Sequence, residues 1–213
     1  MTVTYLFGGL AAFSIVHFVS ILARKEKFQA ASKVTLLPLV LAVYLASTNH
    51  VLIPVLLALF FGWLGDIFLI KIEAPVFFKC GLASFLLGHI FYIVSMMHYT
   101  NGIHRIALVT GITLSICLGF LLYKVIRPGK EMIVPVIAYE IVILLMLNSA
   151  FQLFLANGSR YGALILAGGL CFVVSDFMLA FFTFRAKLRY GDLPVMLTYI
   201  SAQLCIVLGL SGM

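Results

Sequence analysis

The chain has 213 residues, 64% of them hydrophobic and only 10% charged, which excludes a water-soluble globular body and leaves one integral membrane domain over residues 1–213. A net charge of +7 in a soluble protein would suggest nucleic acid as partner. Here the basic residues fall in short loops between apolar runs, a mark of membrane topology, so the expected partners are membrane lipids and no nucleic acid.

A membrane-crossing helix needs about 20 apolar residues. By that measure the sequence predicts an all-α, polytopic bundle of eight transmembrane helices: Val3–Ala23, Val34–Thr48, Val51–Ile70, Cys80–Tyr99, Ile106–Ile126, Met132–Asn148, Tyr161–Phe184 and Leu193–Gly212. The first run has no basic residue before it and is long enough to span, so no cleavable leader is expected. Only Asn49 and His50 separate the second and third spans, but Val34–Ile70 is too long for one crossing. Asn157, Gly158 and Ser159 mark the turn between the sixth and seventh. Cys80, Cys117, Cys171 and Cys205 lie in or beside apolar runs with no CxxC pair, so no disulfide framework is expected.

Orientation follows from Lys and Arg. The odd-numbered loops hold Arg24, Lys25, Lys27, Lys33, Lys71, Lys79, Lys124, Arg127, Lys130, Arg185, Lys187 and Arg189, whereas the even loops hold only Arg105 and Arg160. The positive-inside rule then puts the odd loops in the cytoplasm and both termini on the non-cytoplasmic side, in a multi-pass protein of a bacterial inner membrane.

Three carboxylates interrupt apolar runs: Asp66 in the third span, Glu140 in the sixth and Asp176 in the seventh. On insertion scales a carboxylate at a helix centre costs about 2.5 to 3.5 kcal/mol. Such residues mark proton relays, ion paths or catalytic sites, or else form structural ion pairs, here with Lys33 or a loop arginine. His89 lies nine residues into the fourth span, roughly 13 Å from its cytoplasmic start. Lys33, Asp66, His89, Glu140 and Asp176 therefore share one leaflet, and Asp66, His89 and Asp176 are expected to line one cavity opening toward it. His17, His50, His98 and His104 lie near span ends and read as interfacial.

Phe85, His89, Tyr92 and Met96 share one stripe of the fourth span, and Tyr199 and Gln203 one stripe of the eighth. His89, Tyr92, Tyr199 and Gln203 act either as site residues or as hydrogen-bonding glue between helices. Gly62 and Gly65, beside Asp66, leave room for a neighbouring helix. The segment Gly65–Leu69 resembles Ser175–Leu179, and His89 follows Asp66 at the spacing by which Tyr199 follows Asp176. That pattern is the one expected of two parallel four-helix repeats.

A zinc site is disfavoured, since only His89 is deep and neither HxxxH nor HExxH occurs. No GxSxG is present. Ser175 directly precedes Asp176, so their side chains point about 100° apart on a helix. The expected chemistry is metal-free and cofactor-free acid–base work by Asp66 and Asp176, assisted by His89. Lys33, Tyr92, Glu140, Tyr139, Tyr199 and Gln203 are the supporting or substrate-binding candidates.

Gly65-Asp66, the segment from Phe85 to Tyr92, and Ser175-Asp176, taken in order, resemble the YhhN-like lysoplasmalogenase family. The likeness covers essentially the whole chain. It implies an eight-span hydrolase that cleaves the sn-1 vinyl ether bond of lysoplasmalogens, releasing a fatty aldehyde and a glycerophospho-ethanolamine or -choline. The family pattern opens the second span with a lysine before a proline; here Lys33 is followed by Val34, and the proline is Pro38. The competing readings are a proton-coupled transporter, which buried acids and a parallel repeat also suit, and a non-catalytic lipid-binding protein.

Overall fold

In the computed structural model, which describes residues 2–100, 102 and 104–213, all regular structure is helical. The helices are α1 (Thr2–Leu22), α2 (Glu26–Ser47), α3 (Ile53–Phe68), α4 (Pro75–His98), α5 (Arg105–Ile126), α6 (Ile133–Asn157), α7 (Arg160–Phe184) and α8 (Asp192–Ser211). Single 3-10 turns follow α3 at Leu69–Lys71 and precede α6 at Lys130–Met132. Among the described residues, eight helices are long and apolar enough to cross a membrane.

Local chemistry sets the ends. Pro75 opens α4, and Pro54 sits in the first turn of α3, where a missing N–H costs no hydrogen bond. Gly158 stops α6 in the left-handed conformation, φ 55°. Ser159 then caps α7 by accepting a hydrogen bond from the Gly162 N–H at 3.1 Å.

Three helices outrun the apolar windows that predict them. α2 begins at Glu26 rather than Val34, α4 at Pro75 rather than Cys80, and α6 continues to Asn157 rather than stopping at Asn148. Hydropathy registers lipid contact, whereas a helix extends until its backbone finds a cap, and near a membrane surface polar residues continue it freely. In consequence Lys33 lies seven residues inside α2, about 10 Å from its start, rather than at its mouth.

Helices adjacent in sequence pack as hairpins, α1 with α2, α3 with α4, and α7 with α8. Beyond these, α2 packs on α3 and α8, while α4 and α7 both pack on α6. α1 rests on α2 and α8 at one side, and α5 on α6 and α7 at the other. Bilayers offer little hydrophobic drive between helices, so close approach depends on small residues. A Cβ on Gly168 of α7 would stand 2.9 Å from the Ala202 carbonyl oxygen of α8, and one on Gly209 of α8 2.8 Å from that of Tyr161. The outer faces are apolar, with Phe13, Val19, Ile116, Phe120, Val134 and Leu145 exposed, as contact with lipid tails requires.

Candidate active site

Two hydrogen-bonded networks occupy the interior, one around each aspartate. Asp66 sits two residues before the end of α3, where α2 and α8 both reach it. The Lys33 ammonium lies 3.5 Å from Asp66 Oδ1. From α8, the Tyr199 hydroxyl donates to Asp66 Oδ2 at 2.9 Å. Gln203, one turn further along α8, donates from Nε2 to Tyr199 Oη at 3.4 Å. Tyr92 of α4 closes the line by donating to Gln203 Oε1 at 2.5 Å. Four helices thus meet through one polar chain. Gly62 makes room for it: a Cβ there would lie 2.9 Å from Leu37 and 3.3 Å from Gln203 Nε2. Gly65 is covered by the Phe85 ring, which a Cβ would meet at 2.6 Å.

The second network joins α4, α6 and α7. Tyr139 donates its hydroxyl proton to Asp176 Oδ2. His89 Nε2 lies 3.1 Å from Tyr139 Oη and 3.4 Å from Asp176 Oδ2. A phenol has one proton, so once Tyr139 gives it to Asp176, the contact with His89 requires the imidazole to donate from Nε2. Phe172 separates the two networks and touches both. Its ring stands edge-on to His89 at 4.9 Å and to Tyr199 at 5.7 Å.

Nearly all of these groups are sealed from solvent. Asp66, His89, Tyr92, Tyr139, Tyr199 and Gln203 are buried, while the Asp176 side chain retains 18% exposure. Asp176 and Tyr139 border a small apolar cavity of about 40 Å³, walled by Leu69, Phe85, Val136 and Leu179 among others. Asp66 and His89 are not in its lining. The sequence expectation of one cavity shared by all three residues therefore gives way to two networks back to back on Phe172, with one carboxylate at a cavity wall.

Of the supporting candidates, Lys33, Tyr92, Tyr139, Tyr199 and Gln203 all join a network, and Glu140 alone stands apart. Successive residues of a helix point about 100° apart. Tyr139 faces α4 and α7, so Glu140 turns into the groove between α5 and α6, near Gly119 and Asn148. Its buried Oε1 has no hydrogen-bond partner among the described residues. His17 is a second correction. It lies near the end of α1 as expected, but its side chain is fully buried against α2 rather than exposed, with Nδ1 2.8 Å from Ser32 Oγ. Ser175 is tied into helix packing, donating to the Val195 carbonyl at 3.0 Å. Sequence reasoning missed Phe172, whose place no motif signals, and Trp63, which fixes α3 to α2 by donating to the Val34 carbonyl at 2.9 Å. Its being the chain's one tryptophan was an available signal.

Fold and site together define a multi-pass membrane protein with a buried, two-carboxylate interior. The chain belongs to the YhhN family, whose model matches residues 28–210 and so takes in every member of both networks. It is 33% identical over 145 residues to the Homo sapiens protein named Lysoplasmalogenase TMEM86B, an alignment covering 63% of this chain and 54% of that relative. The chain spans about half the length of the curated relative it matches. No solved structure matches it.

Proposed function

We propose that this protein is a membrane hydrolase that cleaves the sn-1 vinyl ether bond of lysoplasmalogen-type lysophospholipids, giving a fatty aldehyde and a glycerophospho-headgroup. The carrying observation is Asp176, a carboxyl held by Tyr139 and His89 at the wall of an apolar cavity inside the bundle. The family and the relative's name agree with this reading.

The reaction has two demands. A proton must reach the β-carbon of the vinyl ether, leaving an oxocarbenium ion. Water must then add to the cationic carbon, return a proton, and let the hemiacetal collapse to aldehyde and glycerol hydroxyl. Asp176 is the group placed to deliver and recover the proton, and His89 the one to orient water. Asp66 is linked to the far side of Phe172 through Tyr199 and serves as the stabilising carboxylate from that distance, with Lys33 and Tyr199 fixing its orientation.

A parallel duplication suits the pairing of the networks. Asp66 meets a side chain of α2, in its own half, and of α8, in the other half. Asp176 meets α6 of its own half and α4 of the other. The same pairing favours one rival reading, a proton-coupled carrier built of two repeats.

Purified protein incubated with a lysoplasmalogen decides between them. The hydrolase reading expects free aldehyde, released at the same rate after chelation and reduced by about 10² or more in Asp176→Asn, the usual scale of an acid–base contribution. A carrier would release none, and would move the intact lipid or a proton across proteoliposomes.

A further inference from the structure

The groove between α5 and α6 is a cavity of about 370 Å³ on the face of α6 turned away from Asp176. Ile112, Ile116, Phe120 and Ile141 of its lining are exposed, so it opens to lipid tails rather than to water. Glu140 is the one charged residue of that lining. It lies seven residues past the start of α6, about 10 Å from that end, and so within the apolar layer. The side chain is half-buried, and its Oε1 is shut in with no hydrogen-bond partner. Among the described residues no ammonium or guanidinium pairs with it either, unlike Asp66 with its Lys33. A carboxylate in hydrocarbon without a cation or a donor is costly, and the chain itself supplies neither.

The missing partner is a cation, and the walls suit one. Phe120 and Tyr123 put aromatic faces in the lining. Lys124 Nζ already lies 4.4 Å from the centre of the Phe120 ring, so this wall takes an ammonium. No basic residue lines the groove, which leaves a phosphate without a ligand. Size narrows the occupant further. The volume falls in the range of small-molecule sites, about 300 to 1,000 Å³. A helix, about 10 Å across with its side chains, is too wide to reach Glu140, whereas an alkyl chain is not. At the far end Asn148 packs against Gly111 and closes the slot between the helices. We infer that the α5–α6 groove binds a single-chain lipid amine without a phosphate, its ammonium on Glu140 and its alkyl chain against Ile116, Ile141, Leu144 and Leu145. The carboxylate selects the amine over a neutral alcohol by a charge-assisted hydrogen bond and over a fatty acid by repulsion.

This site is separate from the cavity at Asp176 and does not depend on the hydrolase reading. The test uses the full chain in lipid nanodiscs and a hexadecylamine probe with a photoreactive diazirine in its chain. Label is expected on peptides of α5 and α6. Unlabelled hexadecylamine should displace it at concentrations at least about tenfold lower than hexadecanol, the scale of one hydrogen bond to a charged group. Palmitate, which carries the charge of Glu140 itself, should displace it least. Glu140→Gln keeps the shape of the side chain and removes its charge, so the amine and the alcohol come to parity. Phe120→Leu, at a lipid-exposed position that should not disturb packing, weakens the amine and spares the alcohol. Equal competition by amine and alcohol in the wild type overturns the site, as does a Glu140→Gln variant that keeps the full preference. So does a wild type whose α5 and α6 stay unlabelled, the result expected if a helix of another protein covers the groove. Should Glu140→Gln fail to fold, Phe120→Leu decides alone, and unchanged amine affinity in that variant overturns the site.

Discussion

Asp176 Oδ2 is met by both Tyr139 and His89, so the phenol is placed to control what the carboxyl and the imidazole can do. Tyr139→Phe keeps the ring and its packing but removes the only proton the phenol can give Asp176. Hydrogen bonds to charged groups contribute about 1.5 to 3 kcal/mol, and losing this one should slow aldehyde release by about tenfold or more while the protein stays folded. Unchanged turnover in that variant would make Tyr139 a packing residue. The Asp66 network behaves differently. Lys33→Met strands a buried carboxylate, which costs about 3 to 5 kcal/mol when one partner of a buried pair is removed. Adding Asp66→Asn should restore most of the lost thermal stability, because the stranded charge goes with it. A double variant no more stable than Lys33→Met alone would show that the pair is not what the ammonium supports. These roles were partly legible in the sequence: a carboxylate in an apolar run is costly wherever it lies, so Asp66 and Asp176 stand out without a structure. Which partner each takes was not, because Lys33, His89, Tyr139 and Tyr199 come from four helices whose order around the bundle no local pattern encodes.

At the scale of helices, the site depends on how closely neighbours approach. α8 carries Tyr199 and Gln203 and is pressed against α7 at Gly168, where a Cβ would meet Ile206 at 2.7 Å and two backbone atoms of α8 at 2.9 and 3.0 Å. Backbone cannot rotate aside as a side-chain tip can, so Gly168→Ala should push α8 outward. Overpacking of this sort costs about 1 to 3 kcal/mol and should lower the melting temperature in detergent. Gly9→Ala is the control, since nothing lies within 4 Å of a Cβ at that position of α1; there, extra helix propensity should leave stability unchanged or slightly raised. Equal behaviour of the two variants would dismiss close α7–α8 packing as a constraint. Helix count and the rough position of each span were readable from hydropathy, which reports contact with lipid directly. The true start of α2 was not. Residues from Glu26 to Lys33 include two lysines and a glutamate, and a polar stretch reads as loop until tertiary contacts such as Gln29 to Asp192 and His17 to Ser32 are known. The burial of His17 was hidden by the same gap: its partner lies on a turn of α2 that the sequence assigned to a loop.

For the whole molecule, the distribution of charge decides which way the bundle sits. Helices running alternately up and down bring the odd loops to one end, and that end carries Arg24, Lys25 and Lys27, Lys71 and Lys79, Lys124, Arg127 and Lys130, and Arg185, Lys187 and Arg189. Lys33 leaves this set, because it is turned inward to Asp66, yet eleven remain against Arg105 and Arg160 at the other end. An excess of that size over short loops favours retention of the odd end in the cytoplasm. A polar cavity lined by His17, Lys33 and Asp192 opens at the same end, so a cytoplasmic odd end would turn that cavity toward the cytoplasm. Fusions of a reporter active only in the cytoplasm should therefore be silent at Met1 and at Met213, and active when inserted in the turn between α3 and α4 or that between α7 and α8. Surface chemistry at those turns should tolerate insertion, since the Lys187 to Glu73 pair that links them at 3.2 Å is almost fully exposed and such pairs contribute about 0 to 1 kcal/mol. A reporter active at either terminus and silent in both turns would invert the bundle. The polar cavity would then open toward the opposite side of the membrane.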